Sequence, residues 1–227
     1  MIKAVAFCPY PPLLIPEVAQ GAAYELDELR AACRTAVSRA AAVAPQVVMI
    51  GAGERRQHHA ANARGSMAAH GVQLEISLGS DAPGPVELPL PLTVGAWLLR
   101  DALGPDNGAT GWSIAPGDPP ARVVPPDVEC SVLVMADGSA RRSTTAPGYL
   151  DERAPGYDAH VADALRRGEP GMLHVDFELA TQLLVGGART WEQAALELEG
   201  ADWDAELLYD AAPYGVGYFV AAWTRRA

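Results

Sequence analysis

The sequence predicts a single α/β domain built around a sheet with parallel strands, and three observations carry that expectation. First, "IKAVAF" (2–7) and "QVVMIGAG" (46–53) are almost wholly apolar, the pattern of strands covered on both faces. Second, from Tyr24 to Val43 the apolar positions Leu26, Leu29, Cys33, Val37 and Ala40 recur every three or four residues. Glu25, Asp27, Glu28, Arg30 and Arg34 fall between them, which predicts an amphipathic helix with acids in its first turn. Strand, long helix and strand in succession make a βαβ unit, whose default is a right-handed crossover into a parallel sheet. Third, 227 residues with 49% apolar and 20% charged side chains suit an ordered core, and no composition break marks a domain boundary.

The remaining elements follow in order. Pro45 stops the first helix, and "QVVMIGAG" begins at once. "VQLEIS" (72–77) alternates like a strand, and "SDAPGPVELPLP" (80–91) reads as a loop by its prolines and glycine. "LTVGAWLLRDAL" (92–103) is a short helix. "GWSIAP" (111–116) and "ECSVLVMADGS" (129–139) are strands separated by the proline-rich "PGDPPARVVPP". Residues 140–156 have little periodicity and read as a long ordered loop. Three helical segments follow: "YDAHVADALRRG" (157–168), "VDFELATQLLVGG" (175–187) and "TWEQAALELEG" (190–200). "DAELLYDAAPYGVGYFVAAW" (204–223) reads as two strands around the turn "APYG".

A net charge of −11 argues against nucleic acid and against anionic membrane surfaces, both of which need a clustered positive field. No run reaches the ~18 apolar residues of a membrane span, and the N-terminus lacks a signal-peptide pattern. The three cysteines, Cys8, Cys33 and Cys130, form no CxxC pair and read as small buried hydrophobes in a reducing compartment. The chain is therefore expected to be cytoplasmic.

Ligands in α/β sheets sit beyond the carboxyl ends of strands, so the residues there are the first candidates. His58 and His59 lie just past the second strand in "GAGERRQHH", a stretch that reads equally as a polar surface loop. "GAG" (51–53) lacks the third glycine of a dinucleotide fingerprint. "ADGSARRS" (136–143) places Asp137, Ser139, Arg141 and Arg142 after another strand, where a plain polar turn is the alternative. His174 and Glu178 are four apart at a helix start and share a face, suited to a metal, a proton relay or simple capping. No HExxH or HxH spacing and no GxSxG occurs, so neither a local zinc motif nor a nucleophile elbow is indicated.

The order of these features resembles a known family. An apolar first strand runs into "FCPYPPLLIPEV", a second strand follows a helix, and then come "VMADGS", "DFELATQLLVGGA" and a terminal "YGVGYFVAAW". This resembles the catalytic-subunit (LigB-like) family of class III extradiol ring-cleavage dioxygenases, in a divergent, actinobacterial-looking branch. The wider superfamily includes dihydroxyphenylalanine dioxygenases and Memo-like proteins. The resemblance implies an α/β domain with a mostly parallel central sheet flanked by helices on both faces. It also implies a non-haem Fe(II) held by two histidines and a carboxylate or third histidine, with a further histidine as acid/base.

Carried over residue by residue, the first ligand position, "PHPP"-like in the family, is Tyr10 in "PYPP". The second falls at Gly53–Glu54, with His58 and His59 a few residues later, and the third at Glu178. Ser139 or Ala140 stands where the acid/base histidine is implied. The resemblance thus implies a degenerate iron site without standard catechol cleavage. The pocket is expected among Tyr10, Glu54, Asp137 and Tyr214, with Ser139 and His174 as catalytic candidates and Glu178, His58 and His59 as metal candidates. Two other readings stay open: a non-catalytic protein binding a small aromatic or other ligand or a protein partner, and a re-tooled metal enzyme using His58, His59 or His174. A homo-oligomer is a further implication of the family.

Overall fold

The computed structural model describes residues 1–118 and 121–227; two prolines of the proline-rich separator, 119 and 120, lie outside the described residues. The strands are β1 (Ile2–Cys8), β2 (Val47–Ala52), β3 (Gln57–His59), β4 (Arg64–Ser66), β5 (Glu75–Ser77), β6 (Thr110–Ile114), β7 (Cys130–Met135), β8 (Trp203–Ala211) and β9 (Tyr218–Arg225). The α-helices are α1 (Pro16–Ala19), α2 (Asp27–Val43), α3 (Leu90–Leu103), α4 (Ala154–Arg167), α5 (Phe177–Gln182) and α6 (Ala188–Leu198). Seven strands form one mixed sheet in the order β3-β6-β2-β7-β1-β9-β8, and β4 pairs with β5 separately. The central strands β6, β2, β7 and β1 are parallel, while β3, β9 and the β9–β8 pair are antiparallel additions at the edges. The parallel registers, Cys8 opposite Met135 and Gly51 opposite Met135 and Ser113, bring the four carboxyl ends out along one edge.

Helices cover both faces. On β1 the period-two alternation sends Val5 and Phe7 to one face and Ala4, Ala6 and Cys8 to the other. The small residues let α2 lie close, packing Leu29, Cys33 and Val37, with Leu92 and Leu99 of α3 beside them. Gly95 serves the same end: a Cβ there would meet the Met135 side chain at 3.0 Å and the Met49 sulfur still closer. The opposite face carries Val161 and Leu165 of α4 and Trp191 and Leu198 of α6. Phe7, Trp191, Phe219 and Trp223 interlock there, with Phe7 4.8 Å from Trp223 and 6.0 Å from Trp191. Burying each such side chain contributes roughly 1.5–3 kcal/mol, so this layer anchors β1 between α6 and β9.

The expected order of elements is present, with local differences. The helix expected over 24–43 begins at Asp27, after a 3₁₀ stretch over Gln20–Leu26. The one expected over 92–103 starts at Leu90, because Pro91 in its first turn has no N–H to lose. The segment 175–187 is helical only over Phe177–Gln182; Leu184 turns into positive φ (54°) and ends it. The strand expected over 72–77 is Glu75–Ser77. The short strands β3 and β4 were not expected, since neither "QHH" nor "RGS" has strand composition. β3 is held by its register with β6 instead. Residues 140–153 contain no helix or strand but are tied down by backbone bonds: Gly148 N–H donates to Ala140 C=O and Asp151 N–H to Arg141 C=O, both at 3.0 Å. All three cysteines are buried and unpaired. Among the described residues no helix is long and apolar enough to cross a membrane.

Candidate functional site

The carboxyl ends of β1 and β7 bring Tyr10 and Asp137 together. The proline loop leaves β1 so that the Tyr10 N–H donates to Asp137 Oδ1 at 2.8 Å. The Asp137 carbonyl accepts the Trp191 indole N–H at 3.0 Å. The link between α5 and α6 closes over this point. A Cβ on Gly187 would stand 2.6 Å from the Asp137 carbonyl oxygen, and one on Gly186 would strike the Tyr10 hydroxyl, so both positions require the missing side chain.

Burial dominates the electrostatics of this corner. It pushes the Asp137 carboxyl from its ordinary 3.8 up to about 7, against the bond from the Tyr10 amide, which favours the charge. Burial and the neighbouring Asp137 also raise the phenols of Tyr10 and Tyr218 well above the ordinary range. At neutral pH the corner therefore holds two neutral phenols and a carboxyl near its midpoint, able to give or take a proton.

Ser139, the other candidate after β7, is wholly buried. Its N–H and hydroxyl both donate to the Asp158 carboxylate at 2.8 Å, and Arg142 adds a third donor at 2.9 Å. Gly138 and Gly217 pack against the same carboxylate, leaving no space for a larger residue. The cluster fastens the β7 loop to α4.

His58 and His59 point to opposite faces of the edge strand β3. His58 is exposed and lies edge-on to Trp112 at 5.1 Å. His59 is buried, with Nδ1 3.1 Å from Glu87 Oε1 and Nε2 3.1 Å from Ser113 Oγ. Glu54 lines the cavity beside it, of about 420 Å³.

The other candidates stand elsewhere. The His174 ring faces Glu192 and Glu199 at 3.0 and 2.8 Å, and those carboxylates raise its pKa. Glu178 is exposed in the first turn of α5, where Gln182 reaches it at 3.4 Å, and Asp176 caps the helix. The Tyr214 hydroxyl donates to Glu25 at 2.9 Å. The donor set that the family resemblance implies for Fe(II) does not fit: the first position offers a half-buried phenol, and Glu178, His58, His59 and His174 each have different neighbours. Among the described residues no group of three His, Cys, Asp or Glu side chains is arranged to hold a metal ion.

Sequence reasoning grouped Tyr10, Glu54, Asp137 and Tyr214 in one pocket; Tyr10 and Asp137 meet, whereas Glu54 lies beside His59 and Tyr214 bonds Glu25, and Tyr218, Asp158, Glu87 and Ser113 were missed. Ser113 is a polar residue inside the strand "GWSIAP", and Glu87 sits in a stretch legible only as loop. Only Ser113's place near the end of a central strand gave a signal. Comparison with models of known protein families gives no match, and no curated protein matches the chain.

Proposed function

We propose that this chain is a LigB-like protein of the class III extradiol dioxygenase superfamily whose Tyr10–Asp137 corner at the strand ends works without the family's Fe(II) site. In this reading it binds a small molecule and does not cleave catechols. The reading is supported by the order of strand, "PYPP" loop, helix and strand around parallel carboxyl ends. The observation that carries it is the Tyr10–Asp137 pair. Where the resemblance implies a metal-binding imidazole, the chain supplies a half-buried neutral phenol whose amide is bonded to a carboxyl of raised pKa. Asp137 and the phenols of Tyr10 and Tyr218 offer donors and acceptors that suit a small aromatic or carboxylic ligand.

The test is ring cleavage. Protein loaded anaerobically with Fe(II), freed of excess metal and exposed to air with protocatechuate-type catechols is expected to form no ring-opened chromophore and to consume no oxygen above the metal-free control. Steady ring opening with stoichiometric iron would overturn the reading.

A further inference from the structure

We infer that Ser113, His59 and Glu87 form a nucleophile, base and carboxylate set that hydrolyses a small carboxylic ester. This inference goes beyond the preceding reading and stands apart from the iron question, because it uses a different corner of the sheet and no metal.

The sequence order is His59, Glu87, Ser113, and three separate elements bring them together. The β3–β6 register sets Gln57 opposite Ser113 and His59 opposite Gly111. Side chains of 57, 59 and 113 therefore share one face, and His59 reaches Ser113 on the diagonal with no side chain on Gly111 beside it. Glu87 arrives from the segment before α3, its N–H donating to Arg64 C=O at 2.9 Å. Gly53 passes directly over the serine: a Cβ there would stand 2.6 Å from Ser113 Cβ.

The two hydrogen bonds fix the chemistry. A carboxylate only accepts, so Glu87 Oε1 at 3.1 Å places the imidazole proton on Nδ1. The Nε2 lone pair then faces Ser113 Oγ at 3.1 Å. The serine hydroxyl has one proton and two acceptors in reach, Nε2 and the Arg55 carbonyl at 2.8 Å, and rotation about Cβ–Oγ moves the proton between them. The imidazole is 1% exposed, which holds it in this orientation, while the Glu87 side chain is 29% exposed and the cavity of about 420 Å³ opens beside all three. Its wall includes Arg55 and Pro89, and α3 begins at Leu90. The Arg55 side chain is held beside the cavity by its Nε, which donates to Gln57 Oε1 at 2.7 Å.

The reaction balances with water as co-reactant. Ser113 Oγ forms a bond to the ester carbonyl carbon while His59 Nε2 takes its proton. The carbon–alkoxy bond breaks, and the leaving alkoxide takes that proton from Nε2. Water then attacks the acyl carbon, giving its proton to Nε2, and Ser113 Oγ leaves and is reprotonated. Arrangements of this kind are defined by geometry and role rather than by a motif, so a strand serine without an elbow sequence suffices. Glu87 is a positioning residue acting through the imidazole.

A fluorophosphonate ester is the probe, read by intact and peptide mass spectrometry. The folded protein is expected to gain one phosphonyl group on the peptide carrying Ser113. Ser113→Ala should gain none. His59→Gln should react at least about 100-fold more slowly. Glu87→Gln should react more slowly than wild type, and Glu87→Asp should recover part of that rate, as expected of a carboxylate that orients the imidazole. No adduct on Ser113 in the folded wild-type protein would overturn the inference even if a variant fails to fold. So would an unchanged rate in His59→Gln.

Discussion

Asp137→Asn protein is expected to be more stable than wild type at pH 8, by about 2–4 kcal/mol, and nearly equal to it at pH 4. The folded state holds the Asp137 proton up to about pH 7, whereas the unfolded chain releases it near 3.8. Between these values the folded state binds more protons, so wild-type stability falls as pH rises from about 4 to 7 and is flat above. At 1.36 kcal/mol per pH unit the full difference is roughly 4 kcal/mol. The lower end of the range allows for imperfect pairing of the new amide NH₂. The asparagine oxygen can still accept the Tyr10 N–H. Urea unfolding at several pH values measures this directly. A variant that follows the wild-type pH profile would show that the carboxyl is not desolvated.

Trp191→Ala is expected to lose about 3–5 kcal/mol, with a fall in Tm of roughly 10 °C. Trp191 is fully buried, flanked by Phe7 and Phe219, and no neighbour can fill the space of an indole. The substitution also strips the Asp137 carbonyl of its donor. Trp191→Phe separates the two effects: it keeps most of the ring volume and is expected to lose about 1–2 kcal/mol for the missing N–H. A Trp191→Ala loss below about 1 kcal/mol would mean that α6 is not the lid of this core.

The central sheet was legible because its strands obey local rules. "IKAVAF" and "SVLVM" are apolar on both faces because both faces are covered, and α2 shows its buried stripe in the spacing of Leu29, Cys33 and Val37. The edges were not legible. β3 has neither alternation nor strand composition, and it exists because β6 offers it unpaired backbone. The site divides in the same way. Tyr10 and Asp137 each follow a recognisable strand, so their meeting can be expected from parallel topology alone. His59, Glu87 and Ser113 are joined by an antiparallel edge register and a loop return, neither of which leaves a periodic trace. Ser139 shows the opposite failure: a serine in the right place after β7 serves Asp158 and the docking of α4 rather than a ligand.

The claim that the strand ends around Tyr10 lack an iron donor set is tested most directly by counting iron in Tyr10→His protein after anaerobic Fe(II) loading and desalting. The substitution restores the first imidazole that the resemblance implies, in the same proline loop. Glu178 remains on its exposed helix turn and His59 on Glu87 and Ser113, so the expected result is no stoichiometric iron. One iron bound per chain would contradict the claim, because it would require the missing ligands to be within reach of residue 10 already.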